Sequence, residues 1–124
     1  MEYFSNEAYF SFFSTLANRT CLAIIDALRE RPKSASEISE TLELEESVTI
    51  RNLERLVHGA LVRSEGSGKG KMYSLNKEII EPLSEILSFH TSKYCPKLTE
   101  CIPPEKLKEY MKKEAAKKTY IEHE

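Results

Sequence analysis

The sequence has few of the features that mark a membrane-spanning or disulfide-stabilised protein. No apolar run among the 124 residues approaches the roughly 20 residues that a membrane-spanning helix needs. The first residues are aromatic and acidic, unlike a signal peptide. The three cysteines, Cys21, Cys95 and Cys101, contain no C-x-x-C pair. We therefore expect a cytoplasmic protein with no membrane partner, whose thiols stay reduced unless they bind metal or sense redox.

The sequence also lacks the patterns of common enzymes and any excess of positive charge. It contains no phosphate-binding loop, no nucleophile with an associated base and no concentrated pair of carboxylates, so we do not expect an enzyme. The formal net charge is −2, and the field of the whole molecule therefore gives no support to nucleic-acid binding. It does not exclude such binding, because DNA responds to the local patch that it touches.

The sequence does contain a series of short helical patterns, of which the first is unusually aromatic. Residues 6–16 fit a helix with aromatic side chains on more than one side. Such a helix needs more cover than a small domain provides, so it is either a core helix or part of a dimer interface. Residues 18–31 form an amphipathic helix that Pro32 ends, with Cys21 on its buried side as an ordinary core residue.

Two further helical patterns are separated by a short turn. Ser34 and Glu37 form a capping-box pattern that begins a short helix, with Ser36 as the alternative cap. The periodicity breaks at residues 43–46. The next helix covers about 47–59, with Ser47 as its N-cap and Gly59 near its end. Its buried side carries Leu53, Leu56, Val57 and Ala60. Its opposite side carries Ser47, Val48, Arg51, Arg55 and His58, with Asn52 on the flank.

A hairpin pattern follows that helix. Residues 61–64 and 71–75 resemble strands, and the segment between them contains three glycines. The arm and tip of the hairpin carry the basic residues Arg63, Lys69 and Lys71. Apolar residues then repeat at helical spacing as far as His90, and two prolines at 103–104 begin a last helix.

This order of elements predicts a mostly α-helical protein, a winged helix-turn-helix (α-α-α-α-β-β-α-α) with a two-stranded β-wing. We expect residues 1–76 to form the winged domain, including a first helix used in dimerisation, and residues 77–124 to form a C-terminal helical dimerisation extension. In such a fold the helix around 47–59 enters the major groove of double-stranded DNA, and the wing at 62–75 follows the backbone. The candidate DNA-binding residues are Ser47, Val48, Arg51, Asn52, Arg55, Arg63, Lys69 and Lys71.

Five segments of the sequence resemble ArsR-type (arsenic-repressor-like) transcriptional regulators. Residues 16–25 resemble their second helix, 36–42 their short positioning helix and 47–56 their recognition helix, and the segments 59–62 and 73–75 together resemble their wing. The resemblance implies a homodimer that binds a palindromic operator and represses transcription until a metal ion, redox change or other effector relieves repression. The family's thiol-rich metal box is absent, because residues 34–44 contain no cysteine.

Two questions remain open on the sequence alone, one about the C-terminal cysteines and one about function. His90, Cys95 and Cys101 are close in sequence and suit Zn²⁺ or another thiophilic metal; equally, the two cysteines form a disulfide or are incidental thiols. The second question concerns function. The acidic Glu45 and Glu46 favour a winged helix that serves as a protein-interaction module in a larger complex, whereas the basic wing favours DNA.

Overall fold

The computed structural model describes residues 3–94, which form five α-helices and three short strands. The helices are α1 (Glu7–Leu16), α2 (Arg19–Ala27), α3 (Ala35–Leu42), α4 (Glu46–His58) and α5 (Lys77–Tyr94). The strands are β1 (Lys33–Ser34), β2 (Val62–Glu65) and β3 (Met72–Leu75). The predicted winged helix-turn-helix is therefore confirmed, while the predicted helix after residue 103 lies outside the described residues.

The first two helices begin at asparagine caps. The Oδ1 atom of Asn6 accepts a hydrogen bond from the N–H of Ala8 at 2.8 Å, and that of Asn18 accepts one from the N–H of Cys21 at 3.0 Å. The second helix ends at Ala27 rather than near residue 31 as predicted. At that end the Nζ atom of Lys33 donates to the Ala27 carbonyl at 2.7 Å, which satisfies an acceptor that the helix leaves open.

The turn between α3 and α4 depends on a left-handed residue. The predicted capping box at Ser34 and Glu37 is present at the start of α3. Glu43 ends the helix with φ of 56°, and the N–H of Leu44 donates to the Ser39 carbonyl at 2.9 Å. Helix α4 then begins at Glu46, whose N-cap Glu45 makes no side-chain capping bond. The prediction of Ser47 as the N-cap is therefore wrong, because Ser47 lies within the first turn.

The wing belongs to a sheet with one more strand than predicted. Strands β2 and β3 form the expected antiparallel hairpin, and β1 adds to the other edge of β3, which gives the order β1-β3-β2. In this register Tyr73 of β3 lies between Lys33 of β1 and Ser64 of β2. The sheet therefore ties the wing to the segment just before α3.

Aliphatic side chains from the helices and the first wing strand make up most of the core. Ile24, Ile38, Leu53, Leu56 and Leu61 are fully buried, and Cys21 is buried with them, as predicted. Ala60 does not belong to this core: it is exposed and has φ of 61° just after α4. Within residues 3–94 no helix is both long and apolar enough to span a membrane.

Large apolar side chains remain exposed in both compact units of the chain, one of which ends at Glu81 while the other begins at Pro82. In the first unit, the exposed set includes Phe4, Phe10 and Phe13. In the second unit it includes Ile86, Leu87, Phe89 and Tyr94. The division of the chain into a domain at 1–76 and an extension at 77–124 stays a prediction.

Candidate nucleic-acid interface

Helix α4 presents a polar side to solvent because its opposite side is fixed in the core. Leu53 and Leu56 are 0% exposed. On the opposite side Ser47, Arg51 and Arg55 are exposed, at intervals of four residues, while Val48 is half-buried. Among the described residues neither arginine forms an ion pair. The two guanidinium groups are therefore available to a ligand outside this chain.

Asn52 is not part of that exposed surface, and its prediction as a DNA contact is wrong. Its side chain is 4% exposed. The amide Nδ2 donates to the Val48 carbonyl at 2.9 Å, and Oδ1 accepts from the Cys21 thiol at 3.5 Å. Burial raises the pKa of the Cys21 thiol, an effect that the charge of Arg55 partly opposes. Asn52 therefore positions α4 against α2 rather than contacting a ligand.

Thr49 is a positioning residue that the sequence analysis did not identify. Its side chain is 0% exposed, and its Oγ1 accepts a hydrogen bond from the Ser39 hydroxyl at 2.8 Å. This buried pair joins the two helices of the helix-turn-helix. Thr49, Asn52, Leu53 and Leu56 share the i, i+3, i+4, i+7 spacing of one helix side. That spacing was the available signal, but it is less visible when two of the four positions are polar.

Acidic residues surround the start of α4. Glu45 and Glu46 are exposed, and the Oε1 atom of Glu46 accepts a hydrogen bond from the Ser36 hydroxyl at 3.1 Å. Negative charge at a helix N-terminus interacts favourably with the helix dipole. The same charge repels a phosphate group at that end of the helix. The positive charge of α4 therefore lies further along, at Arg51 and Arg55.

The wing carries its basic residues on a glycine-dependent turn. Gly66 has φ of 92°, and a Cβ atom there would lie 3.2 Å from the Gly70 carbonyl oxygen, so that position favours glycine. Lys69 is exposed in the turn, and the Nζ atom of Lys71 lies 5.9 Å from the centre of the Tyr73 ring. Arg63 lies 3.8 Å from Glu78, and both side chains are mostly exposed. A surface ion pair of that kind contributes little to stability, so Arg63 can readily exchange Glu78 for another partner.

The predicted metal ligands are only partly within the described residues. His90 lies on α5, with its ring 5.8 Å from the Tyr94 ring, while Cys95 and Cys101 lie outside the described residues. Within 3–94, no three His, Cys, Asp or Glu side chains come together as a metal site would require. The metal, disulfide and incidental-thiol hypotheses for Cys95 and Cys101 stay open.

Comparisons with known proteins show what the described domain is similar to. Residues 16–65 match a family model described as a helix-turn-helix domain. A homodimeric winged helix-turn-helix DNA-binding domain from Mycobacterium bovis, Mb0332, described as a possible ArsR-family transcriptional regulator, superposes with a TM-score of 0.61 at 20% identity, over 71% of this chain and 82% of that one. No curated protein sequence matches the chain.

Two other similar structures have higher sequence identity. HlyU from Vibrio cholerae has a TM-score of 0.59 at 26% identity, over 77% of this chain and 99% of that one. Rv0081 from Mycobacterium tuberculosis has a TM-score of 0.58 at 28% identity, over 71% and 96%. Residues 16–65 are therefore similar to a helix-turn-helix domain, and the similar structures agree with the predicted winged helix-turn-helix fold.

Proposed function

We propose that the chain is a DNA-binding transcriptional regulator that acts as a homodimer and is not an enzyme. The observation that carries the proposal is the exposed side of α4, where Arg51 and Arg55 face solvent on a helix held by fully buried Leu53 and Leu56. A helix in this position of a helix-turn-helix fits the major groove, which is about 12 Å wide. The similarity to Mb0332, described as a homodimeric DNA-binding domain, supports the same conclusion.

The exposed residues divide into base-reading and backbone-binding groups. Arg51 lies in the middle of α4 and is the candidate for a guanine contact, the commonest specific contact of arginine. Ser47 and Val48 precede it by one turn or less and extend the contact towards the start of the helix. Arg55 and the wing residues Arg63, Lys69 and Lys71 supply charge to backbone phosphates, which positions the protein without reading sequence.

The exposed aromatic residues of α1 and the apolar residues of α5 support dimerisation. Phe10 is 65% exposed and Ile86 is 66% exposed, and apolar clusters of this kind commonly mark an interface. Pairing of two identical chains about a two-fold axis places two copies of α4 on DNA, so the operator is palindromic. We propose repression as the outcome in the cytoplasm, with any metal or redox response arising in the extension at 77–124.

Selection of bound duplexes from a random pool tests this proposal. We expect enrichment of a palindromic site, with an affinity that falls steeply as salt is raised, because bound phosphates release counterions. The selection is repeated with Zn²⁺ and with a mild oxidant, which tests the effector. Binding with no salt dependence and no enriched site would contradict the proposal.

One observation favours a second function. The exposed Glu45 and Glu46 at the start of α4, in a chain of net charge −2, suit a basic protein surface better than a phosphate backbone. A winged-helix interaction module within a larger complex is therefore the alternative. It predicts a flat salt dependence on random duplex, and the same titration distinguishes the two functions.

A further inference from the structure

A polar groove lies between α1 and the C-terminal half of α4. Its volume is about 440 Å³, and it is lined by side chains from these two helices. The α4 wall carries Arg51, Arg55 and His58, at the i, i+4, i+7 spacing of one helix side. The α1 wall carries Ser11 and Ser14. The groove therefore brings hydrogen-bond donors together from two separate helices.

The hydroxyl groups of the α1 wall differ in their availability. Thr15 also lines the groove, but it is 6% exposed and its hydroxyl donates to the Ser11 carbonyl at 3.1 Å. Ser11 is exposed and Ser14 is half-exposed, and among the described residues neither hydroxyl has a hydrogen-bond partner. These two serines are therefore free to donate to a ligand in the groove.

The charge of the groove favours an anion. Arg51 and Arg55 contribute two guanidinium groups, against the single carboxylate of Glu54. An imidazole from His58 adds a further donor near the end of the helix. Guanidinium, imidazole and hydroxyl groups are all donors to phosphate oxygens. Glu54 opposes anion binding, so removal of its charge should strengthen the binding of an anion in the groove.

We infer that this groove binds a phosphate group, held by Arg55 and His58 on one wall and by Ser11 and Ser14 on the other. Arg51 lines the same groove from the middle of α4, which connects the groove with the base-reading side of that helix. Where the phosphate belongs to the DNA backbone, the inference rests on the proposed function and adds α1 to the DNA-contacting elements. Where it belongs to a free anion, the groove is a separate ligand site.

The first arm of the test removes the two hydroxyl groups and measures duplex affinity. The variant is Ser11→Ala with Ser14→Ala, and Ser5→Ala is the control because Ser5 is exposed and lies outside the groove. Alanine favours helix more than serine does, so a loss of affinity does not arise from loss of α1. We expect weakening of roughly fivefold to thirtyfold on selected and random duplexes alike, from two lost hydrogen bonds.

Neutral linkages in the duplex locate the phosphate. Methylphosphonates are placed one at a time along the selected site, and the double variant is compared with the wild-type chain on each duplex. At the contacted position the difference between the two proteins should be smallest, because that linkage has lost its charge and one of its two non-bridging acceptor oxygens. A defect of the double variant that shrinks at one linkage and not at the others supports the inference with DNA as the source.

The second arm uses inorganic pyrophosphate without DNA. Backbone amide signals of α1 and α4 are followed by NMR at constant ionic strength. Saturable shifts in both helices, lost in the double variant and tightened by Glu54→Gln, support the inference with a free anion as the source. Duplex affinities unchanged by the double variant, together with no saturable pyrophosphate shifts at these residues, would overturn it. A wild-type chain that binds no duplex defeats the proposed function alone, and the pyrophosphate arm still decides the groove.

Discussion

The thiol of Cys21 on α2 donates a hydrogen bond to Oδ1 of Asn52 on α4, with a sulfur–oxygen distance of 3.5 Å. Both residues are buried, at 0% and 4% exposure. The contact lies behind the side of α4 that carries Arg51 and Arg55. It therefore helps to set the orientation of the proposed DNA-reading helix without any contact to DNA.

The contribution of this hydrogen bond to stability is measurable with two small substitutions. Cys21→Ala leaves Oδ1 of Asn52 buried without a donor, whereas Cys21→Ser retains one. We expect the alanine variant to be less stable than the serine variant by about 1 kcal/mol, the usual cost of an unmade buried hydrogen bond. Denaturant unfolding measures the difference, and in an Asn52→Ala background the advantage of serine should be lost or reversed, because its buried hydroxyl then lacks this acceptor. Persistence of the difference in that background would show that the two side chains are not coupled.

Alkaline pH should destabilise the domain through the same thiol. Burial raises the pKa of Cys21 above its unfolded value, so the folded state keeps a proton that the unfolded state loses. Stability is therefore complete below the unfolded thiol pKa of about 8.5 and falls as pH rises from there towards the folded pKa. The free energy of unfolding of the wild type and of Cys21→Ser, measured across this pH range, checks whether stability falls as pH rises. The serine variant should lose less stability, and parallel curves would contradict the prediction.

The end of α4 offers a substitution that should stabilise the domain. Ala60 has φ of 61°, and the N–H of Leu61 donates to the Leu56 carbonyl at 3.0 Å, as in a Schellman motif. A left-handed conformation costs a non-glycine residue about 1 kcal/mol, so Ala60→Gly should raise the free energy of unfolding by up to that amount. Gly59→Ala is the matched control, because Gly59 has no left-handed φ and an added Cβ atom there makes only ordinary contacts, the nearest at 3.5 Å. A less stable Ala60→Gly variant would contradict this reason.

Local patterns predicted most of the fold, and long-range contacts account for the errors. The Ser34–Glu37 capping box depends on neighbours three residues apart, so the sequence was sufficient. Strand β1 has two residues and exists through pairing with β3, some forty positions away, as in Lys33↔Tyr73. A segment of two residues is too short to show the alternation of apolar and polar residues that indicates a strand.

The candidate site was predictable to a similar extent. Outward positions on α4 followed from helical spacing, which places Arg51 and Arg55 correctly on the exposed side. Asn52 was misplaced because asparagine is usually exposed, and its burial depends on Cys21, which is 31 positions away. The groove of Ser11 and Ser14 was not anticipated, since nothing local links α1 with α4.

Base-reading and backbone-binding residues should respond differently to substitution. Arg51→Ala should weaken binding to the selected site by about 1–3 kcal/mol and relax its base preference. Lys69→Ala with Lys71→Ala should weaken all duplexes similarly and flatten the salt dependence, because two phosphate contacts are lost. Titrations of selected and random duplexes at several salt concentrations measure both effects. If neither variant changes the affinity for any duplex, the interaction-module alternative is favoured.

Dimerisation should depend on the exposed aromatic residues of α1. Phe10 is 65% exposed and Phe13 is 50% exposed. Both lie on α1, which has aromatic side chains on more than one side, so a single domain cannot bury all of them. Burying a phenylalanine side chain contributes about 1.5–3 kcal/mol, so Phe10→Gln with Phe13→Gln should raise the dissociation constant of the dimer by at least a hundredfold. Sedimentation at micromolar concentration should then show a monomer, while the wild-type chain sediments as a dimer.

A matched control separates the dimer interface from general loss of apolar surface. Leu22 on α2 is 44% exposed, and Leu22→Gln removes an exposed apolar side chain outside α1. We expect that variant to remain dimeric. The monomeric double variant should retain weak binding to random duplex, because α4 and the wing are unchanged, and lose preference for the palindrome, because the spacing of two half-sites is read only by two joined copies. A wild-type chain that sediments as a monomer at this concentration would contradict both the dimer and the palindromic operator.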